Sequence, residues 1–289
     1  MNRILENSIL RRIIYTFIML VMISQLMTSC LQFRMESSEV DNYFEQQEDI
    51  PALLVVEVEE RTIHMAFQDN QKNTTVVFIH GAPGSWSAFI DFMKVDRLSD
   101  SMNIISVDRP GYGYSGFGDP VYSLELQSRY LVEAVKKVVD SDLIVVGHSL
   151  GGPVAARMMM DYPDDIVGGV LVAPSISPEL EKREWYRYLG KLKIVENLIP
   201  ASLWVTNEEI YDLKDELNLM LPLWETIESK VVVIQGTDDK LVPKGNADFA
   251  ARVLPDSLLV INMLEGVNHF IPWSQPETIT NAVLKLIRE

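Results

Sequence analysis

From Leu53 onward the apolar positions fall into two patterns. Leu53–Val58 and Thr62–Phe67 alternate with polar residues and predict a pair of strands at a sheet edge. Thr75–His80, Asn103–Val107, Leu143–Val146, Val167–Val172 and Val231–Gln235 are instead apolar throughout, as strands covered on both faces should be. A further apolar strand is expected at Leu258–Asn262. Between these runs, Ser123–Val139 aligns Leu124, Leu131, Val135 and Val138 on one stripe, and Pro276–Ile287 does the same with Ile279, Val283, Leu286 and Ile287. Strands alternating with amphipathic helices predict an α/β fold with a mostly parallel central sheet and helices on both faces.

One interval breaks the rhythm. About 60 residues separate the strand ending near Val172 from the one starting at Val231, with helical patterning and no strand-like run. Ligands of open α/β sheets bind beyond the carboxyl ends of the strands, so an insertion leaving such an end covers the site. Residues 51–174 and 230–289 are therefore expected to form the core, and residues 175–229 a helical lid.

The first 50 residues follow neither pattern. Arg3, Arg11 and Arg12 precede an apolar run from Ile13 to Ile23, then Ser24 and Gln25, then Thr28 and Ser29 immediately before Cys30. This is a signal-peptide layout over residues 1–29, with a signal anchor retained in the membrane as the alternative. The small residues before Cys30 resemble the lipobox of bacterial lipoproteins, although Met27 departs from the usual Leu. That resemblance implies cleavage before Cys30, lipidation of its thiol, and a location in the bacterial cell envelope on the periplasmic or surface face. Residues 30–50, rich in carboxylates from Glu36 to Asp49, read as an acidic, solvated tether.

Composition narrows the partners. The 289 residues carry 25 Lys+Arg against 41 Asp+Glu, a formal charge of −16, so nucleic acid is an unfavourable partner. Cleavage before Cys30 would remove three arginines and one glutamate, leaving 22 basic against 40 acidic residues, or −18. A body so charged is repelled by an anionic bilayer, and attachment would rest on acyl chains. A single cysteine excludes an internal disulfide and Cys-based metal sites.

The chemistry gathers at strand ends. Gly147-His148-Ser149-Leu150-Gly151 follows the strand Leu143–Val146 and leads through Gly152 and Pro153 into a helical pattern. A strand, a turn too tight for side chains, and a helix are what a nucleophile elbow requires. Gly147 and Gly151 supply the clearance, and Ser149 is the candidate nucleophile. Upstream, His80-Gly81-Ala82-Pro83-Gly84 is a second glycine loop after a strand, where backbone N–H groups can reach an oxyanion. Ala82 and Leu150 are the natural donor pair, and His80 is expected to hold the loop together with Gly81 and Gly84. A serine needs a histidine base and a carboxylate to orient it. Of the four histidines, His64 lies in an early strand and His148 neighbours the serine, pointing away from it. His269, after the strand Leu258–Asn262, is the candidate base. Asp239, just past the strand Val231–Gln235, is the candidate acid, with Asp238 as the alternative. Asp108 is expected to fix the loop that runs to Ser115.

The order Ser149, Asp239, His269, with His80-Gly81 upstream and the Asp108-to-Ser115 loop between, resembles the α/β-hydrolase superfamily, in particular its capped serine-nucleophile members. The likeness covers about Leu53 to Glu289. It implies Ser149 as nucleophile, His269 as general base and then acid, Asp239 as its orienter, and Ala82 and Leu150 as oxyanion donors. It also implies that neither a metal nor an organic cofactor is needed. A serine at the elbow, where dehalogenases and epoxide hydrolases carry aspartate, argues against those chemistries.

The substrate expected is a small carboxylic ester. The loop His80–Gly84 also resembles that of proline iminopeptidases, which keeps aminopeptidase or amidase activity, or carbon–carbon bond hydrolysis, as alternatives. The acidic residues Glu181, Glu184, Glu208 and Glu209 suit either an amine pocket or a solvated helix face. Trp185, Tyr186, Tyr188, Trp204, Tyr211 and Trp224 suit an aromatic pocket wall or lid packing, while Phe270 and Trp273 lie nearer His269 in sequence. A catalytically silent, membrane-tethered binding protein is the non-enzymatic alternative.

Overall fold

A computed structural model describes residues 11–12, 14–16, 19, 32–47, 50–182, 184–196 and 199–287. Cys30 and the residues around the expected cleavage point lie outside this set.

The eight strands are β1 (Ala52–Val58), β2 (Arg61–Gln68), β3 (Thr74–Ile79), β4 (Asn103–Val107), β5 (Asp142–His148), β6 (Ile166–Val172), β7 (Lys230–Gly236) and β8 (Leu259–Leu264). They form one sheet in the order β1-β2-β4-β3-β5-β6-β7-β8. β2 runs antiparallel to β1 and β4, and every other pairing is parallel. The expected mostly parallel α/β sheet is therefore present. β1 and β2 form the expected pair at one edge of the sheet, β1 outermost and β2 joined to β4 through Met65 opposite Val107. Four consecutive β2 residues, Ile63 to Ala66, are accordingly buried.

Successive side chains of a strand face opposite sides, which divides the core in two. Val77, Ile79 and Val145 pack on one face with α2 (Leu124–Lys136), α3 (Gly151–Asp161) and α5 (Gly245–Val253). Val76, Phe78, Ile144 and Val146 pack on the other with the 3₁₀ segment Trp86–Lys94 and α6 (Pro276–Leu286). Ser123 caps α2 by accepting the Leu126 N–H.

Between β6 and β7 lie two one-turn helices, Arg187–Gly190 and Lys193–Glu196, then α4 (Ala201–Met220) and the 3₁₀ segment Leu221–Thr226. α4 buries Ser202, Val205, Thr206, Glu209, Leu213, Leu217 and Met220, spacings of three and four that mark one face of a helix. No helix among the described residues is long and apolar enough to cross a membrane.

The segment read as a solvated tether is corrected in part. Residues 37–43 form α1 (Ser37–Tyr43), opened by a reciprocal capping box between Glu36 and Glu39. Val40 and Phe44, four residues apart, are 2% and 1% exposed and join the core on the α6 side of the sheet. Lys94 Nζ donates to the Tyr43 carbonyl at 2.6 Å and sits 3.5 Å from its ring centre, and Tyr43 donates to Asp91. Two well-placed apolar residues dock a segment whose composition is otherwise that of a solvated chain.

Candidate active site

β5 ends in a turn at which Ser149 has φ of +54°, a left-handed conformation rare for a residue with a side chain. The surrounding backbone enforces it. A Cβ at Gly147 would lie 2.2 Å from the Gly151 carbonyl, and one at Gly151 would lie 2.3 Å from the Ile79 carbonyl. The elbow can close only with glycine at both positions. α3 starts at Gly151, so its amino end adjoins the serine.

Ser149 lines a cavity of about 1450 Å³ together with His80, Gly81, Ala82, Gly84, Leu150 and His269. Its hydroxyl makes no hydrogen bond to another described residue. Gly81 packs against Ser149, since a Cβ there would stand 3.0 Å from the serine Cβ. The backbone N–H groups of Ala82 and Leu150 have no partner among the described residues, and both residues line the cavity. Unpaired N–H groups at such a place are donors in waiting.

The loop after β3 is held from below. His80, fully buried, donates from Nδ1 to the Gly81 carbonyl at 2.6 Å and accepts the Arg109 N–H on Nε2 at 3.0 Å. That arrangement requires a neutral ring, and burial together with the Arg109 charge pushes its pKa well below the ordinary histidine value. Gly84 lies over this ring, 2.8 Å from where its Cβ would be.

On the opposite side, the β7 and β8 loops meet through Gly236, where a Cβ would lie 2.2 Å from the Val267 carbonyl. The approach brings His269 Nδ1 to 2.7 Å from Asp239 Oδ2. Asp238 instead donates its backbone N–H to Val267, so Asp239 is the carboxylate against His269. Asp239 Oδ1 also accepts the N–H groups of Leu241 and Val242, at 2.9 and 2.8 Å. Burial raises its pKa, but these hydrogen bonds, led by that from His269, outweigh burial and hold it below the usual range. An ionised Asp239 fixes the proton on His269 Nδ1 and leaves Nε2 to accept one.

His148 is not a bystander. It points away from the serine, as expected, but its Nε2–H donates to the His269 carbonyl at 3.0 Å and its ring lies 4.8 Å from the His269 ring. Burial, with the His269 charge adding to it, pushes its pKa down to about 4. Its place in the elbow motif was the only sequence cue to this support.

Several expectations about carboxylates and aromatics change. Glu209 is 4% exposed and binds Arg109 through both carboxylate oxygens at 3.0 and 2.9 Å, with Tyr112 and Gln127 donating to the same group. It is neither a solvated helix face nor free for a substrate amine. Because Arg109 also holds His80, this ion pair ties α4 to the loop carrying Ala82. Glu181 lines the cavity, accepts from Ser175 at 2.8 Å, and has its pKa raised by burial. Of the six lid aromatics, only Tyr186 lines the cavity; Trp224 is buried against Phe249. Phe270 and Trp273 do line it. The N-terminal residues 32–36, which no motif singled out, line it as well.

A strand-turn-helix serine, an Asp–His pair and two N–H groups without a partner among the described residues thus surround one cavity on an α/β sheet. The chain belongs to the alpha/beta hydrolase family, whose model matches residues 76–282, and its enzyme class, hydrolase, rests on that membership. It is 23% identical over 246 residues to 2-(acetamidomethylene)succinate hydrolase of Mesorhizobium japonicum, covering 73% of this chain and 87% of that one. Three other curated relatives, 31%, 28% and 30% identical, match over 26%, 7% and 37% of their own lengths. Among solved structures, an esterase from Thermogutta terrifontis superposes with a TM-score of 0.62 at 19% identity, over 82% of this chain and 98% of that one. A bacterial membrane phospholipase A superposes with a TM-score of 0.64 at 16% identity, over 100% and 98%. At such identities these structures show the shared fold.

Proposed function

We propose that the protein hydrolyses a carboxylic ester through an acyl-enzyme on Ser149. One observation carries the reading: Ser149 stands strained at the end of β5, in the same cavity wall as the Asp239-oriented His269 and the unpaired N–H groups of Ala82 and Leu150. His269 Nε2 takes the hydroxyl proton as Oγ attacks the carbonyl, and the two N–H groups receive the oxyanion. His269 then protonates the leaving alcohol, and water reverses the sequence to release the acid. Neutral His148 supports the ring from behind without competing for its proton.

Glu209 is committed to Arg109 and so is withdrawn from the expected amine-binding set, of which Glu181 and Glu184 line the cavity. Two of the named structural neighbours, an esterase and a phospholipase A, cleave esters, whereas the curated relative named above is a 2-(acetamidomethylene)succinate hydrolase. Residues 1–29 are proposed as a signal peptide and Cys30 as the lipidated residue, placing the enzyme in a bacterial cell envelope.

Replacing Ser149 by Ala tests the catalytic reading. Turnover of a short aryl ester should fall by about 10⁴-fold or more, with unfolding unchanged. Retention of more than a few per cent of the rate would reject Ser149 as the nucleophile.

A further inference from the structure

Several large apolar side chains stand exposed at the mouth of the cavity. Phe33, Tyr186, Leu241, Phe270 and Trp273 all line the cavity that holds Ser149, yet are 41%, 51%, 66%, 53% and 50% exposed. Trp185, its ring 6.3 Å from that of Tyr186, is 77% exposed, and Tyr188 is 60% exposed. Scattered apolar residues on a surface need no explanation, but a rim of them around one opening marks a docking surface. Tryptophan and tyrosine suit the zone between water and hydrocarbon, with an apolar body and a polar tip.

The chain itself indicates what docks there. Phe33 and Met35 line the mouth, and the segment around them is held on the body: Tyr114 donates to the Met35 carbonyl at 3.0 Å, and the Arg34 guanidinium lies 4.8 Å from the Tyr114 ring centre. The apolar run ending at Ile23 is ten residues upstream of Phe33, and Cys30 is three. Fully extended, those lengths span at most about 36 Å and about 11 Å. Either a retained signal anchor or a lipid on Cys30 would therefore hold a bilayer within that reach of this opening. Charge agrees with this. In a chain with a large acidic excess, the cavity walls carry Arg34, Lys182, Arg187 and Lys240 against an equal number of glutamates, so the mouth lacks the repulsion that the rest of the surface offers an anionic bilayer.

We propose that the aromatic rim seats on the surface of a lipid bilayer, and that the ester entering the cavity belongs to a membrane lipid whose acyl chain passes directly across the rim. This deepens the ester-hydrolase reading and rests on it for the chemistry, but the docking itself does not need the reaction. The test uses the full chain reconstituted in vesicles of phosphatidylcholine and phosphatidylglycerol with brominated acyl chains, whose bromines quench only tryptophans at the hydrocarbon edge. Wild type should be quenched more than Trp185→Phe, and the same difference should appear in the Ser149→Ala background. Trp185→Glu/Tyr188→Glu should hydrolyse vesicle phospholipid about tenfold more slowly or worse, while cleaving a soluble short aryl ester at the wild-type rate. Equal quenching of wild type and Trp185→Phe overturns the proposal, as does undiminished vesicle hydrolysis by the double variant. Concentration-dependent self-association that the double variant abolishes, with no quenching difference, would assign the rim to a second copy and overturn it too. Failure of the ester-hydrolase reading is recognised separately, by aryl-ester turnover that survives Ser149→Ala.

Discussion

Two Asp–His pairs sit in this molecule at almost the same separation. In one, His269 Nδ1 is 2.7 Å from Asp239; in the other, His64 Nδ1 is 2.8 Å from Asp108. Both carboxylates accept two further backbone N–H groups, Leu241 and Val242 in the first case, Trp86 and Tyr114 in the second. The chemistry of the pairs is thus nearly identical, and their surroundings separate them. His269 lines the cavity beside Ser149, whereas His64 is packed near Trp86 and Tyr114, with ring centres 6.5 and 5.0 Å away. An Asp–His pair becomes catalytic when the outer nitrogen of the imidazole has a substrate space to face. The same pair enclosed by aromatic rings is a clamp that pins β2 to the loop after β4.

The contrast predicts opposite consequences for the two aspartates. Asp239→Asn should lower kcat on an aryl ester by about 10⁴-fold, since the amide stabilises the wrong tautomer and no imidazolium. Its urea unfolding midpoint should move little. Asp108→Ala should do the reverse, leaving two backbone donors and His64 unpaired in a buried site at a cost on the order of 3 kcal/mol or more, read by urea unfolding. Its kcat per folded molecule should stay within about tenfold of wild type. Comparable kcat losses in the two variants would mean that access to the cavity does not separate the pairs.

A smaller effect belongs to His148. Its folded pKa of about 4 lies below the ordinary 6.5, so the unfolded chain binds the proton first as pH falls. Stability from this group is fully present above pH 6.5 and is lost on acidification toward pH 4, by about 3 kcal/mol. His148→Asn should flatten the pH dependence of unfolding in that window by about this amount. An unchanged slope would place the titrating group elsewhere.

Much of this was legible in the chain because the informative signals are local. Alternation within a strand, glycines around Ser149 and polar residues at strand ends need only a few consecutive positions to be recognised. What escaped was long-range. Glu209 reads as one more charge on a polar helix, and only the fold brings Arg109, 100 residues away, to its carboxylate. His64 and Asp108 are 44 residues apart and pair because β2 crosses beside β4. Val40 and Phe44 are too few to change the composition of an acidic segment, yet they suffice to dock it. Asp238 and Asp239 are adjacent in sequence, and the turn after Gly236 decides which of them meets His269.

The most direct test of the central claim is covalent. The intact protein is treated with a fluorophosphonate and the adduct located by mass spectrometry. One phosphonyl group on Ser149, formed rapidly in wild type and much more slowly in Asp239→Asn, is the predicted result. No adduct, or one on another residue that persists in Ser149→Ala, would contradict the assignment of this site as a serine hydrolase centre.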